Sequence, residues 1–324
     1  MAAALWASLF LSLAAAPAAA RDPRFAQPID CTLGDTCFLL NLADADPGKG
    51  AADYTCGPRS YDGHKGTDFA LPSYAAMTAG VDVLAAAPGK VLGVRDGMKD
   101  LLYSAEQDSY IDGRDCGNGV SIDHGGGWVT QYCHLAQGSV AVKTGDRVRM
   151  GQTLGQVGLS GRTQYPHVHL SIRKDGRVVD PFHPQGQPDC TTSAPPQDQL
   201  WQTPIDYPAG GIVTSGLSPD MPSYDAVKSG SAAHGTLPAD GPALVGWSFV
   251  YGPRAGDVLR LQLSGPGGVI VEKDVALKKD QVLAFRAIGK KTRAPWPGGE
   301  YQVQSWLIRD GVVLDAHLTI ATIP

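Results

Sequence analysis

Charge is sparse in this chain of 324 residues: Asp, Glu, Lys and Arg together make up 18% and leave a formal net charge of −5. The charges are interspersed, with no block of one sign, so a nucleic-acid footprint and a polybasic membrane contact are both absent. Beyond residue 20 no stretch is long and apolar enough to cross a bilayer, which excludes a later membrane helix. The paired Cys-x-x-Cys spacing of a structural zinc site is missing, and so is the His-Glu-x-x-His of helical zinc proteases. Helical periodicity is scarce as well. What the chain does hold in quantity is glycine (40) and proline (24), a balance that suits short strands joined by tight turns. The expected fold class is all-β, and the length favours two domains over one.

The first 20 residues, MAAALWASLFLSLAAAPAAA, carry no charge and end in small residues before Arg21. They read as an export signal at 1–20, although the positive start that such signals usually carry is missing. An uncleaved anchor is the competing reading; Pro17 and the Ala-rich end favour cleavage. Export to a periplasmic or extracellular compartment lets the six cysteines pair. The segment CGNGVSIDHGGGWVTQYCHL, Cys116 to Leu135, reads as a hairpin turning at His124 to Gly127, which sets Cys116 beside Cys133 across the ladder. Cys31 with Cys37 is the next pair expected, leaving Cys56 with Cys190.

Along the chain, residues 21–60 are irregular and cysteine-containing, 61–187 hold a run of β-like segments, and 188–199 form a polar Pro-containing linker. From 200 to 324, alternating strands with turn signals at Gly265 to Gly268 and Asp310-Gly311 predict an immunoglobulin-like β-sandwich. Trp247, Phe249, Phe285, Trp306 and Leu307 are assigned to its core and packed faces, in preference to a carbohydrate-binding surface.

Chemistry concentrates in the 61–187 stretch. In YPHVHLSIRKDG, His167 and His169 are two apart on a strand, so both rings face one way about 6.6 Å apart along it, while Val168 points to the other side. In YDGHKGTDFAL, His64 and Asp68 would lie about 13 Å apart on a straight strand, too far to share an ion. Gly63 and Gly66 allow the bend that brings them together. In TQYCHLAQG, strand alternation puts Tyr132 and His134 on the face opposite Cys133. His124, His183, His234 and His317 lack any such context and read as solvated or structural, and Asp62 and Asp123 as turn residues.

Each motif is weak alone. In this order, His-x-Gly-x-Asp at His64 to Asp68, Tyr-x-His-Leu at Tyr132 to Leu135, a Gly-rich hairpin and His-x-His at His167 to His169, they resemble the lysostaphin/LytM-type zinc metallo-endopeptidases, a family with the duplicated-hybrid-motif fold. The resemblance covers about Tyr61 to Phe182. It implies one zinc ion per chain held by His64, Asp68 and His169, with His134 and His167 as the catalytic pair. It also implies hydrolysis of peptide bonds in peptidoglycan cross-links or stem peptides; separately, the chain is expected to be a monomer. Three ligands and a position kept for water suit a catalytic zinc, and two more imidazoles suit proton transfer and oxyanion stabilisation. The competing readings are a non-catalytic wall-binding protein that keeps the fold, and a secreted protease acting on Gly-rich proteins.

Three features lie outside the shared pattern or depart from it. Tyr165-Pro166 stands where many relatives carry Gly-Pro, which narrows the approach to the metal. The stretch from Arg95 to Asp115 offers a wall for a substrate groove. Asn41, Asp44 and Asp46 are candidates to reach the open metal position.

Overall fold

The computed structural model of the protein describes residues 22–186, 198–207 and 209–324. The expected signal at 1–20, Cys190 and most of the expected linker lie outside the described residues. The first unit contains β1 (Phe38–Leu39), β2 (Thr67–Ala70), β3 (Asp82–Leu84), β4 (Gly89–Arg95), β5 (Asn118–Gly125), β6 (Trp128–Leu135), β7 (Arg147–Val148), β8 (Thr153–Gln156), β9 (His167–Lys174) and β10 (Arg177–Val178). Eight of these form one sheet in the order β1-β2-β9-β6-β5-β4-β7, with β10 paired to β9, and β3 pairs with β8 separately. All of these pairings are antiparallel. The all-β expectation holds.

One face of this sheet is apolar by simple alternation. Phe69 on β2 and Val168 on β9 are register partners, as are Tyr132 on β6 and Leu170 on β9, and all four are buried in one core with Ile122 and Ile172. The irregular start of the chain joins that core: Phe25, Ile29, Leu39, Leu42 and Tyr54 are buried in it. Leu200 and Trp201, which the sequence reading grouped with the sandwich, pack there too, and the Phe25 amide donates to the Leu200 carbonyl at 2.8 Å.

The second unit contains β11 (Gly211–Ser218), β12 (Ala243–Tyr251), β13 (Val258–Gly265), β14 (Gly268–Ala276), β15 (Leu283–Lys291), β16 (Gly299–Arg309) and β17 (Val312–Ile323). A three-stranded sheet, β11-β12-β15, faces a four-stranded one, β14-β13-β16-β17. Alternate residues such as Leu244, Val250, Leu259, Leu261, Val303 and Leu307 fill the space between them. Seven antiparallel strands split three and four is the expected immunoglobulin-like sandwich. Both turn signals fall between paired strands, and Asp310 and Gly311 take the positive φ values of 50° and 80° that such a turn demands. Trp306 corrects the assignment of aromatics to the interior: it alternates out of phase with buried Ser305 and Leu307 and lies half-buried on the outer face.

Trp247, Phe249 and Tyr251 on β12 do not join the sandwich interior either. They are buried against the first unit, in a cluster with Phe38, Leu40 and Tyr165. Phe38 stacks on Tyr251 with ring centroids 4.8 Å apart, and Tyr165 meets Phe249 edge-on at 6.2 Å. Arg59, buried from the amino-terminal segment, lies over the Tyr251 ring at 5.0 Å and donates to the Leu40 carbonyl. Each fully buried ring of this kind contributes about 1.5–3 kcal/mol. The two units are therefore fixed to each other along one seam.

Candidate metal centre

Asp68 on β2 and His169 on β9 are direct register partners on the sheet face opposite the core, with Asp68 Oδ1 2.8 Å from His169 Nδ1. His64 comes in from the preceding turn, its Nε2 3.1 Å from Asp68 Oδ1 and 3.1 Å from His169 Nδ1. The expected bend is present, and the two glycines allow it differently. Gly63 has φ of +76°, whereas Gly66 is required for space: a Cβ there would lie 2.8 Å from the His169 ring and collide with the Leu170 carbonyl.

The donor set fits a metal ion. Three atoms of two imidazoles and a carboxylate converge within 2.8–3.1 Å of one another, and His64 Nδ1 donates to the Leu42 carbonyl at 2.6 Å, which directs Nε2 at the shared point. Asn41 Nδ2 donates to Asp68 Oδ2 at 3.0 Å and so leaves Oδ1 for that point. Asp44 and Asp46 do not reach the cluster, in contrast to the expectation. Asp44 accepts the amides of Asp46, Ala52 and Gly63, and Asp46 that of Gly48.

His134 and His167 complete the face. His167 Nε2 lies 3.5 Å from Asp68 Oδ1, its Nδ1 donating to the Tyr165 carbonyl at 2.8 Å. The His134 and His167 rings are 4.7 Å apart, and His134 Nδ1 donates to the Ser160 carbonyl at 2.8 Å. Both rings thus keep Nε2 for the site. Strand alternation fails at this point. Tyr132 is fully buried on the core side, where its hydroxyl accepts the Ala86 amide, but His134 has φ of +64° and this left-handed backbone swings its ring to the opposite face.

Electrostatics follow from burial and crowding. Burial opposes charge on Asp68, yet His64 and His167 beside it and the bonds from His169 and His64 hold its carboxyl well below the usual range. For His64 burial is outweighed by Asp68, and its pKa rises. Burial depresses His169 in spite of Asp68, and it depresses His134 strongly, reinforced by His167 and His169. Burial and crowding thus disfavour the charged form of His134, and with Nδ1–H on the Ser160 carbonyl its Nε2 is the lone-pair nitrogen.

A cavity of about 660 Å³ opens over this cluster. Asp68, His134 and His167 line it together with Tyr103 and Arg162 of the first unit and with Tyr224, Lys228 and the stretch from Lys279 to Leu283 of the second. Of the Arg95 to Asp115 stretch expected to wall a substrate groove, Tyr103 lines this cavity. The sandwich residues were not foreseen, because nothing in their local sequence marks them. Two disulfides match the expected pairs, Cys31 with Cys37 and Cys116 with Cys133, and no cysteine among the described residues is free.

Residues 62–181, which contain all five site residues, match the family described as peptidase family M23. The resemblance read from the motifs is borne out. The chain is 35% identical over 122 residues to peptidoglycan DD-endopeptidase ShyC of Vibrio cholerae serotype O1, covering 36% of this chain and 23% of that protein. ShyA of the same organism, also a peptidoglycan DD-endopeptidase, is 33% identical over 117 residues, covering 36% and 22%. The chain spans less than a quarter of the length of these two relatives. Among solved structures, a zinc-containing peptidase from Vibrio cholerae is 26% identical, covers 43% of this chain and 38% of its own, and superposes with a TM-score of 0.29.

Proposed function

We propose that this protein is an exported zinc metallo-endopeptidase that hydrolyses peptide bonds of bacterial peptidoglycan. The observation that carries the reading is the convergence of His64, Asp68 and His169 on one point, with two further imidazoles beside it. The relatives named as peptidoglycan DD-endopeptidases support the substrate class. Two disulfides fit an oxidising compartment outside the cytoplasm.

His64, Asp68 and His169 would hold zinc, which when bound acts as a Lewis acid on a carbonyl and lowers the pKa of water towards 7. The chain's own residues do the rest. His134, its Nδ1–H held by the Ser160 carbonyl, accepts a proton at Nε2 from the attacking water and returns it to the departing amine. His167, its Nδ1–H anchored on the Tyr165 carbonyl, donates from Nε2 in its imidazolium form to the oxygen on which negative charge develops. The seam formed by Phe38, Tyr165 and Tyr251 joins the two units that line the groove, which favours a preset orientation of the peptide.

Metal analysis of the purified full chain, joined to mass spectrometry of peptides released from purified peptidoglycan, tests this reading. Zinc near one per chain and new peptide termini are the expected result. Metal-free protein that binds wall without releasing peptides would overturn it.

A further inference from the structure

The groove over the cluster has a wall that the 62–181 stretch does not supply. Lys279 to Leu283, between β14 and β15, and Tyr224 and Lys228 on the short helix Tyr224–Ser229 all come from the sandwich. This wall is held rigidly: the Gln281 amide donates to the Pro253 carbonyl and the Gly252 amide to the Val282 carbonyl, at 3.0 and 2.9 Å. Gly252 and Pro253 directly follow Tyr251, the residue stacked on Phe38. Tyr165, where the sequence departs from the usual Gly-Pro, is the residue that receives the sandwich, being 4% exposed and packed on Phe249.

The charged groups lining this groove are not equivalent. Arg162 is paired with Asp108 and Asp115, and Lys228 lies 3.1 Å from Asp225 and over the Tyr224 ring. Asp280 Oδ1 accepts the Ala255 amide, which ties it to the neighbouring turn between β12 and β13. Lys279 is exposed, lines the same cavity as His134 and His167, and among the described residues has no carboxylate partner. An ammonium so placed is a point charge with three donors available to an anion.

We propose that the sandwich is part of the substrate site and that Lys279 receives a free carboxylate of the bound peptide. This rests on the peptidase reading for the identity of the peptide, but its own test is binding. A released stem peptide, with its free terminal carboxylate or with that group converted to a carboxamide, is titrated calorimetrically into the zinc-supplemented full chain. The native protein binds the carboxylate form about 3- to 5-fold more tightly, the upper scale of an exposed ion pair. Lys279→Ala brings that preference below about 2-fold, Lys279→Glu reverses it, and Lys278→Ala on the neighbouring exposed lysine, outside the cavity, keeps it. A preference that survives in Lys279→Ala, or is absent from the native protein, overturns the proposal even if wall peptides are cut. Failure to release wall peptides, with the Lys279-dependent preference intact, instead overturns the peptidase reading and leaves the groove as a peptide-binding site.

Discussion

Asp68 and His169 lie 101 residues apart in sequence, yet they are paired across the β2–β9 ladder with a 2.8 Å contact between Oδ1 and Nδ1. Two residues of the proposed metal site have been brought together by strand register. A slip of one residue would send either side chain into the core.

Removal of either side chain is therefore expected to empty the site. Asp68→Ala and His169→Ala each lower bound zinc from about one per chain to under a tenth. Loss of an outer-shell partner alone costs 10–100-fold in metal affinity, so peptide release falls by at least about 100-fold. Elemental analysis, with circular dichroism to confirm folding, reads the outcome.

His134→Ala and His167→Ala separate chemistry from metal binding. Neither side chain belongs to the converging triad, so zinc stays near one per chain, whereas peptide release falls about 10²–10⁴-fold. Loss of metal in both variants would place the rings among the ligands instead.

Gly66→Ala tests the close approach behind the site. The added methyl meets the Leu170 carbonyl and lies 2.8 Å from the His169 ring, so β2 and β9 must part. Overpacking of this kind costs about 1–3 kcal/mol. A lower urea midpoint and weaker zinc binding in a chelator competition are expected together.

Asp180 makes the stability of the metal-free protein depend on pH. Burial, with no hydrogen bond to Oδ2, pushes its carboxyl up to about 7, against an ordinary value of 3.8. A folded-state pKa raised above the unfolded one means that the folded chain holds the proton more tightly. Its contribution is full below about pH 4 and is lost as the pH rises towards 7. The difference in urea midpoint between native protein and Asp180→Asn, measured in chelator, is expected to shift in favour of the variant from pH 4 to pH 8.

Much of this was legible from short-range pattern. His-x-His on a strand, glycines before Asp68 and the Cys116 to Cys133 hairpin each follow from the two-residue period of a strand or the geometry of a turn. His134 was misplaced on the face of Tyr132 because alternation assumes extended backbone, and its positive φ breaks that assumption. Trp306 was misplaced because an aromatic residue on a two-sheet sandwich fits either face until register decides.

The sequence by itself determined the strand periodicity, the five candidate site residues and the cysteine pairs at Cys31–Cys37 and Cys116–Cys133, because each depends on neighbours a few residues away or on an ordered set of motifs. Only the tertiary structure decided that Tyr165 docks the sandwich, that Asn41 steadies Asp68, and that Lys279 shares a cavity with His134. Those relationships join segments far apart in the chain. They arise from which apolar surfaces are buried against each other, a choice that depends on the shapes of whole sheets and leaves no local mark on the residues involved.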